Sequence, residues 1–451
     1  MHKAHHGLRL VCAPLLLALA VAGLPAPGSA SSSASAAAAL LAPSPDTRLV
    51  SGGLNGQAAN GPGDRPDISK DGRYVVFDST ASNLVAGVPF KTRRVYRKDL
   101  VTGVTQMVSV GNSGAFATEW SSFGHPDADG NLVAFVSDDK TLVPGGTGPR
   151  SVFLRNFTTS PASTELISVN SAEVRANRSA SRPSISPDGR FVTFNSPATN
   201  LAPAGGNGFD QVYLRDRLLG TTTLVSVAAG GGLANGVSYR GIVSGDGRYV
   251  AFSSKGTNIV NDGGAASEAV YLRDMQTGQT IRVSKRANGA PSGGARPYVS
   301  PDGERVVYNT YANGEASDTN GFSDVYVYNR LTNTRTRASV TPTGGNGTND
   351  SLRGFITDDH RWVAFNSFSQ NLATTDNKSV GDCFLHDMVT GQNITVSLSY
   401  TGGPANAMSY RPVPDGDGSV VVYQSSARNL VAGDPSTGEQ IYVVSTATLM
   451  P

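Results

Sequence analysis

The chain has 451 residues, with 37 basic against 35 acidic side chains and a formal charge of +2. That balance excludes a general nucleic-acid surface, which needs clustered excess Lys and Arg. Of the two cysteines, Cys12 falls in the N-terminal segment. Cys383 alone then remains in the mature chain, which excludes an intramolecular disulfide and a cysteine-based zinc site, and it reads as a small core hydrophobe.

Residues 1–30 have the order of a secretory signal peptide: Lys3 and Arg9, an apolar run from Leu10 to Leu24, then Gly28-Ser29-Ala30 as a cleavage site. The run is too short to span a bilayer, which takes about 20 apolar residues. No other stretch could cross a membrane. A secreted, extracytoplasmic protein is expected. Residues 31–46 are Ser/Ala-rich and read as a flexible leader.

From Thr47 onward the chain repeats. An Asp-Gly step recurs at Asp71, Asp129, Asp188, Asp246, Asp302 and Asp417, and Asp359 holds the same place with His360 after it. Seven copies with a near-constant spacing define an architecture before any residue is interpreted. In the third copy, Pro183–Ser186 is strand a and Pro187-Asp188-Gly189 a tight turn. Strand b is Phe191–Ser196, strand c Gln211–Asp216 and strand d Thr221–Val227. One such sheet cannot bury both its faces, but seven stacked radially can. The predicted fold is all-β: a seven-bladed β-propeller of four-stranded antiparallel blades over residues 47–451. The seventh copy has only Ser445–Pro451 after its strand c, while Thr47–Ser51 has the strand d pattern. The N-terminal strand is therefore expected to complete the last blade and remove an open edge.

The turn aspartates read as structural. Candidate chemistry lies in the long b–c and d–a connections, which share one face. Six residues before the turn Asp stand Arg65, Arg182, Arg240, Arg296, Arg353 and Arg411, with Phe123 in the second copy. Strand a lines a propeller's channel, so these arginines should ring its mouth, where guanidinium groups suit carboxylates, sulfates or phosphates. Repetition in nearly every blade fits first a structural contact made within or between blades, with ligand contact as the alternative. In the fifth copy, Asp318, Asn320 and Asp324 around Gly321 resemble part of a calcium loop, against the alternative of an Asx-rich turn without metal. Calcium is the one cofactor this pattern admits. His125, beside the break in the arginine series, is the least implausible catalytic base. Trp362 reads as core, and Trp120, in a d–a connection, as exposed. There is no His-Glu-x-x-His pair, nucleophile elbow, phosphate loop or dinucleotide fingerprint.

The unit Ser-Pro-Asp-Gly-Arg-Phe-Val-Thr-Phe at Ser186–Phe194, repeated as Ser300–Tyr308, resembles the repeat of TolB-like propellers, described as WD-repeat-like. The resemblance covers about Thr47–Pro451. It implies the propeller fold and, more loosely, a scaffold that binds other envelope proteins. Similar propellers are accessory domains of peptidases and carbohydrate-active enzymes. TolB proper carries an α/β domain ahead of six blades, whereas this chain has a short leader and seven copies. Three functions follow as expectations. The first is a monomeric, non-enzymatic binding or scaffold propeller for a protein or acidic glycan. The others are a polysaccharide lyase or hydrolase using the channel mouth, and a calcium-supported adhesion module.

Overall fold

The computed structural model describes residues 45–88, 92–263, 267–374, 380–436 and 438–449. The predicted signal peptide and residues 31–44 of the leader lie outside the described residues. Residues 42–451 form one compact unit. It contains seven four-stranded sheets, each with its strands hydrogen-bonded in the order a-b-c-d. In the third blade the strands are Ser181–Ile185, Phe191–Ser196, Gln211–Asp216 and Thr221–Leu224. Strands b and c coincide with the sequence expectation. Strand d ends earlier, at Leu224, and beyond it Val227 bridges Leu233.

The ring closes as expected. Thr47–Leu49 pairs antiparallel with the seventh blade's strand c, placing Thr47 opposite Val444 and Leu49 opposite Tyr442. The pairing continues with Val50 N donating to Ile441 O at 2.8 Å, and Ser51 Oγ donating to Gln440 Oε1 at 2.6 Å.

Each blade is held by the same parts. Strands b and c bring one aromatic pair together: Phe77–Tyr96, Phe194–Tyr213, Phe252–Tyr271 and their equivalents, with centroids 5.6–6.1 Å apart in all seven blades. Offset stacks of this kind add about 0.5–1.5 kcal/mol to the area they bury. The turn aspartates act locally. Asp188 Oδ1 accepts from Ser186 Oγ at 2.5 Å and Arg190 N at 3.0 Å, so its carboxylate pins the turn. Cys383 and Trp362 are buried, as expected.

Candidate functional site

Strand a carries one irregularity in every blade. Its pairing with strand b slips by one residue between Ser181 and Ser184, and at the equivalent place in the other six sheets. The slip is a β-bulge, and its first residue is the arginine of the sequence series. Arg65, Arg182, Arg240, Arg296, Arg353 and Arg411, with Phe123, all adopt φ between 51° and 61°. A β-carbon in this left-handed region costs roughly 1–2 kcal/mol, and such bulges ordinarily take Gly. The next residue is Pro or Gly in every blade. Where it is Gly, the preceding blade leaves no room: a Cβ at Gly354 would lie 2.4 Å from Val307 and one at Gly241 2.5 Å from Val212.

The bulge re-aims the side chain. All seven residues line one cavity of about 340 Å³ at the channel mouth, together with His125 and Tyr298. A smaller space of about 50 Å³ lies deeper, lined by Asp67, Lys70 and the ends of all seven a strands. The expected arginine ring is therefore present, and Phe123 interrupts it without leaving a gap. The Phe123 ring receives the guanidiniums of Arg65 at 4.5 Å and Arg182 at 5.5 Å. Trp120, expected to be exposed, is half-buried, because Phe123 and the Arg150 guanidinium pack against its indole.

Negative charge is unevenly placed. Arg65 pairs with Asp64 at 2.8 Å and Asp78 at 3.3 Å, and Arg93 with Asp64 at 2.9 Å. Arg411 Nε lies 3.9 Å from Asp64. Both acids belong to the first blade. Where that blade has Asp78 in strand b, the others have Val136, Asn195, Ser253, Asn309, Asn366 and Gln424. Among the described residues, Arg182, Arg240, Arg296 and Arg353 make no ion pair, and Nη1 of Arg296 is buried without a hydrogen-bond partner. Asp210 and Glu268 line a groove beside this arc without reaching ion-pair distance. Burial, followed by repulsion from Arg182 and Arg296, pushes Arg240 down to about 10. Burial and then repulsion from Arg411, Arg296 and Arg240 push Arg353 down to about 8. A guanidinium holds its proton far more firmly than an ammonium. An arc of crowded cations is relieved more readily by a bound anion than by deprotonation.

His125 lines the mouth and the deeper space. Its Nε2 is 3.5 Å from Asp67 Oδ2, and its Nδ1 lies 3.3 Å from Pro126 O.

The calcium-like loop is built differently from its sequence pattern. Asp318 Oδ2 accepts from Tyr326 Oη at 2.5 Å. Asp324 accepts from Ser339 Oγ at 2.5 Å and from Asn320 Nδ2 at 3.0 Å, and Asn320 Oδ1 accepts from Phe322 N at 3.0 Å. The buried Arg337 guanidinium stands 3.5 Å from Asp318 and 3.7 Å from Asp324. These oxygens already face a cation, and it belongs to the protein.

No protein-family model matches the chain, and no curated protein is similar to it in sequence. Solved structures do share its architecture. The β-propeller domain of the Trilobed protease from Pyrococcus furiosus is 12% identical, with 86% of this chain and 94% of that chain covered and a TM-score of 0.52. An oligogalacturonate lyase in complex with manganese is 12% identical, with 89% and 96% covered and a TM-score of 0.52. TolB from Acinetobacter baumannii is 15% identical, with 67% of this chain and 58% of that chain covered and a TM-score of 0.38. At such identities the likeness is one of fold. The chain is a seven-bladed β-propeller, similar in fold to the propeller domain of that protease and to that lyase.

Proposed function

We propose that this protein is a secreted, non-enzymatic binding propeller whose channel mouth takes an anionic ligand. That ligand would be an acidic glycan or an acidic segment of a partner protein. One observation carries the reading. Six arginines occupy the same strained bulge position and line one cavity, and four of them, in consecutive blades, make no ion pair among the described residues. Strain kept at a functional cavity is a pointer to use. A structural arginine ordinarily brings its acceptor with it, as Arg190 does with Asp216 at 2.7 Å and Arg97 with Gly130 O at 2.7 Å.

The test is calorimetry with a defined sulfated hexasaccharide and with a polyaspartate peptide, comparing the wild type with an Arg240→Ala, Arg296→Ala, Arg353→Ala triple variant. Binding by the wild type and a loss of at least about 100-fold in the variant are expected, since hydrogen bonds to charged groups contribute about 1.5–3 kcal/mol each. Failure of the wild type to bind either probe, or equal binding by both proteins, would overturn the proposal.

The lyase reading keeps one observation in its favour, the His125–Asp67 pair on the wall of the same cavity. It predicts unsaturated uronate products from an acidic polysaccharide, lost in His125→Gln. Absence of such products with wild-type protein removes it.

A further inference from the structure

The repeat makes its own exceptions conspicuous. Six of the seven a–b turns follow the turn aspartate with glycine: Gly72, Gly130, Gly189, Gly247, Gly303 and Gly418, all at φ between 66° and 79°. The sixth blade has His360 there, at φ 62°. Nothing in the turn requires an imidazole, and its β-carbon is disfavoured in this region.

A second exception stands in the neighbouring turn. Four blades place an arginine two residues after the turn aspartate and pair it with the aspartate that ends strand c. These are Arg73–Asp99, Arg190–Asp216, Arg248–Asp274 and Arg361–Asp387, at 2.7–2.9 Å. The fifth blade has Glu304 and Asn329 instead. A cation has been exchanged for a carboxylate whose usual partner position is neutral.

The two exceptions meet. His360 Nε2 lies 3.0 Å from Asp302 Oδ2, and ligand atoms of Asp302, Glu304 and His360 all fall within 4.8 Å of one another. Nε2 is buried yet makes no well-directed hydrogen bond. Asp302 uses Oδ1 for its own turn, accepting from Ser300 Oγ at 2.6 Å and Glu304 N at 3.0 Å, which leaves Oδ2 for the histidine side. Among the described residues the Glu304 carboxylate has one weak partner, Arg305 at 3.4 Å.

We propose that Asp302, Glu304 and His360 form a binding site for a divalent transition metal of the zinc class, joining the turns of the fifth and sixth blades on the face opposite the arginine ring. One imidazole nitrogen and two carboxylate oxygens are a three-ligand set that leaves a fourth position for water. The imidazole argues against calcium and magnesium. Ligands about 2.0–2.1 Å from a tetrahedral metal stand roughly 3.3 Å apart, close to the His360–Asp302 separation. Rotation of the Glu304 side chain closes the third edge. The metal clamps two adjacent blades, and the site is independent of what the channel mouth binds.

The test uses the tag-free full chain with zinc chloride, calcium chloride as the control, and thermal unfolding as the readout. His360→Gly and Glu304→Arg each restore a residue that other blades carry, so both are expected to fold. His2, His5 and His6 are present in all three proteins, so any zinc they hold cancels in the comparison. Zinc should raise the wild-type Tm by a few degrees, as expected when a ligand binds only the native state. Calcium should not. In either variant the rise should vanish, and zinc affinity at this site should fall at least about tenfold, the smallest loss expected when even an outer-shell partner is removed. An equal zinc-dependent rise in a variant, or none in the wild type, overturns the proposal. The second result would make His360–Asp302 a metal-free ion pair.

Discussion

Arg240 shows how a residue that looks ordinary in the sequence becomes informative through its backbone. It stands at φ 56° on a bulge, crowded by Arg182 and Arg296. Glycine would relieve both the backbone strain and the repulsion. Arg240→Gly should therefore leave the protein as stable as the wild type or stabilise it by up to about 1 kcal/mol, the strain released being partly offset by glycine's extra unfolded-state entropy. The same variant should weaken anion binding by about tenfold or more. Denaturant unfolding and calorimetry on one preparation check both halves. A variant that is clearly less stable and binds unchanged would mean that the arginine serves the fold. The position of this series was legible in the sequence because it recurs at a fixed offset from the turn aspartate. The bulge was not, since Arg-Pro and Arg-Gly carry no pairing signal until the strand is seen to slip. Nor was the charge asymmetry, because Asp64 and Asp78 are ordinary acids until both prove to face Arg65.

At the level of the element, strands b and c of the third blade were read to the residue because alternation and the Asp-Gly turn fix their ends. Strand a was placed at 183–186 but runs 181–185, as a bulge breaks the two-residue period. The fifth blade's b–c loop shows the limit of motif spacing. Asp318, Asn320 and Asp324 have the order of oxygen ligands, but Arg337 arrives from strand d to neutralise them, and no local pattern announces a partner from another strand. The ring-closing strand was legible because two incomplete pieces at opposite ends of the chain added up to one blade. It makes a firm prediction. Removing residues 47–51 deletes the pairing with strand c of the seventh blade and uncovers Ile441, Tyr442 and Val444, all now buried. The Tm should fall by on the order of 10 °C, since several kcal/mol are lost and each shifts a domain of this size by a few degrees. An unchanged melting curve in scanning calorimetry would show that the closure contributes nothing.

On the scale of the whole molecule, a formal charge of +2 conceals a separation: cations crowd one mouth, and their counter-charge is gathered on the first blade. Asp78 governs how much of that counter-charge is felt. It is fully buried, and burial pushes its carboxyl up to about 6 against the pull of Ser122, Arg65 and Arg93, while Asp64 nearby adds to the rise. The folded protein therefore holds this proton more tightly than the unfolded chain, whose carboxyl titrates near 3.9. Stability from this group is present below about 4 and is lost as pH rises from there through 6. Binding follows the same proton. Below 6 the mouth loses a negative charge, so its attraction for an anion grows. A sulfated ligand, which does not titrate in this range, should bind at least about two- to fivefold more tightly at pH 5.5 than at pH 7.5, as one charge removed about 4 Å away is worth about 1 kcal/mol even at the dielectric of bulk water. His125 lines the same cavity and faces Asp67, so the comparison needs Asp78→Asn, which fixes the first-blade charge and leaves the imidazole in place. Calorimetry at both pH values should find the variant's affinity level and close to the wild type's at pH 5.5. If the two proteins keep the same pH dependence, the switch belongs to another group, and the first blade does not regulate the mouth.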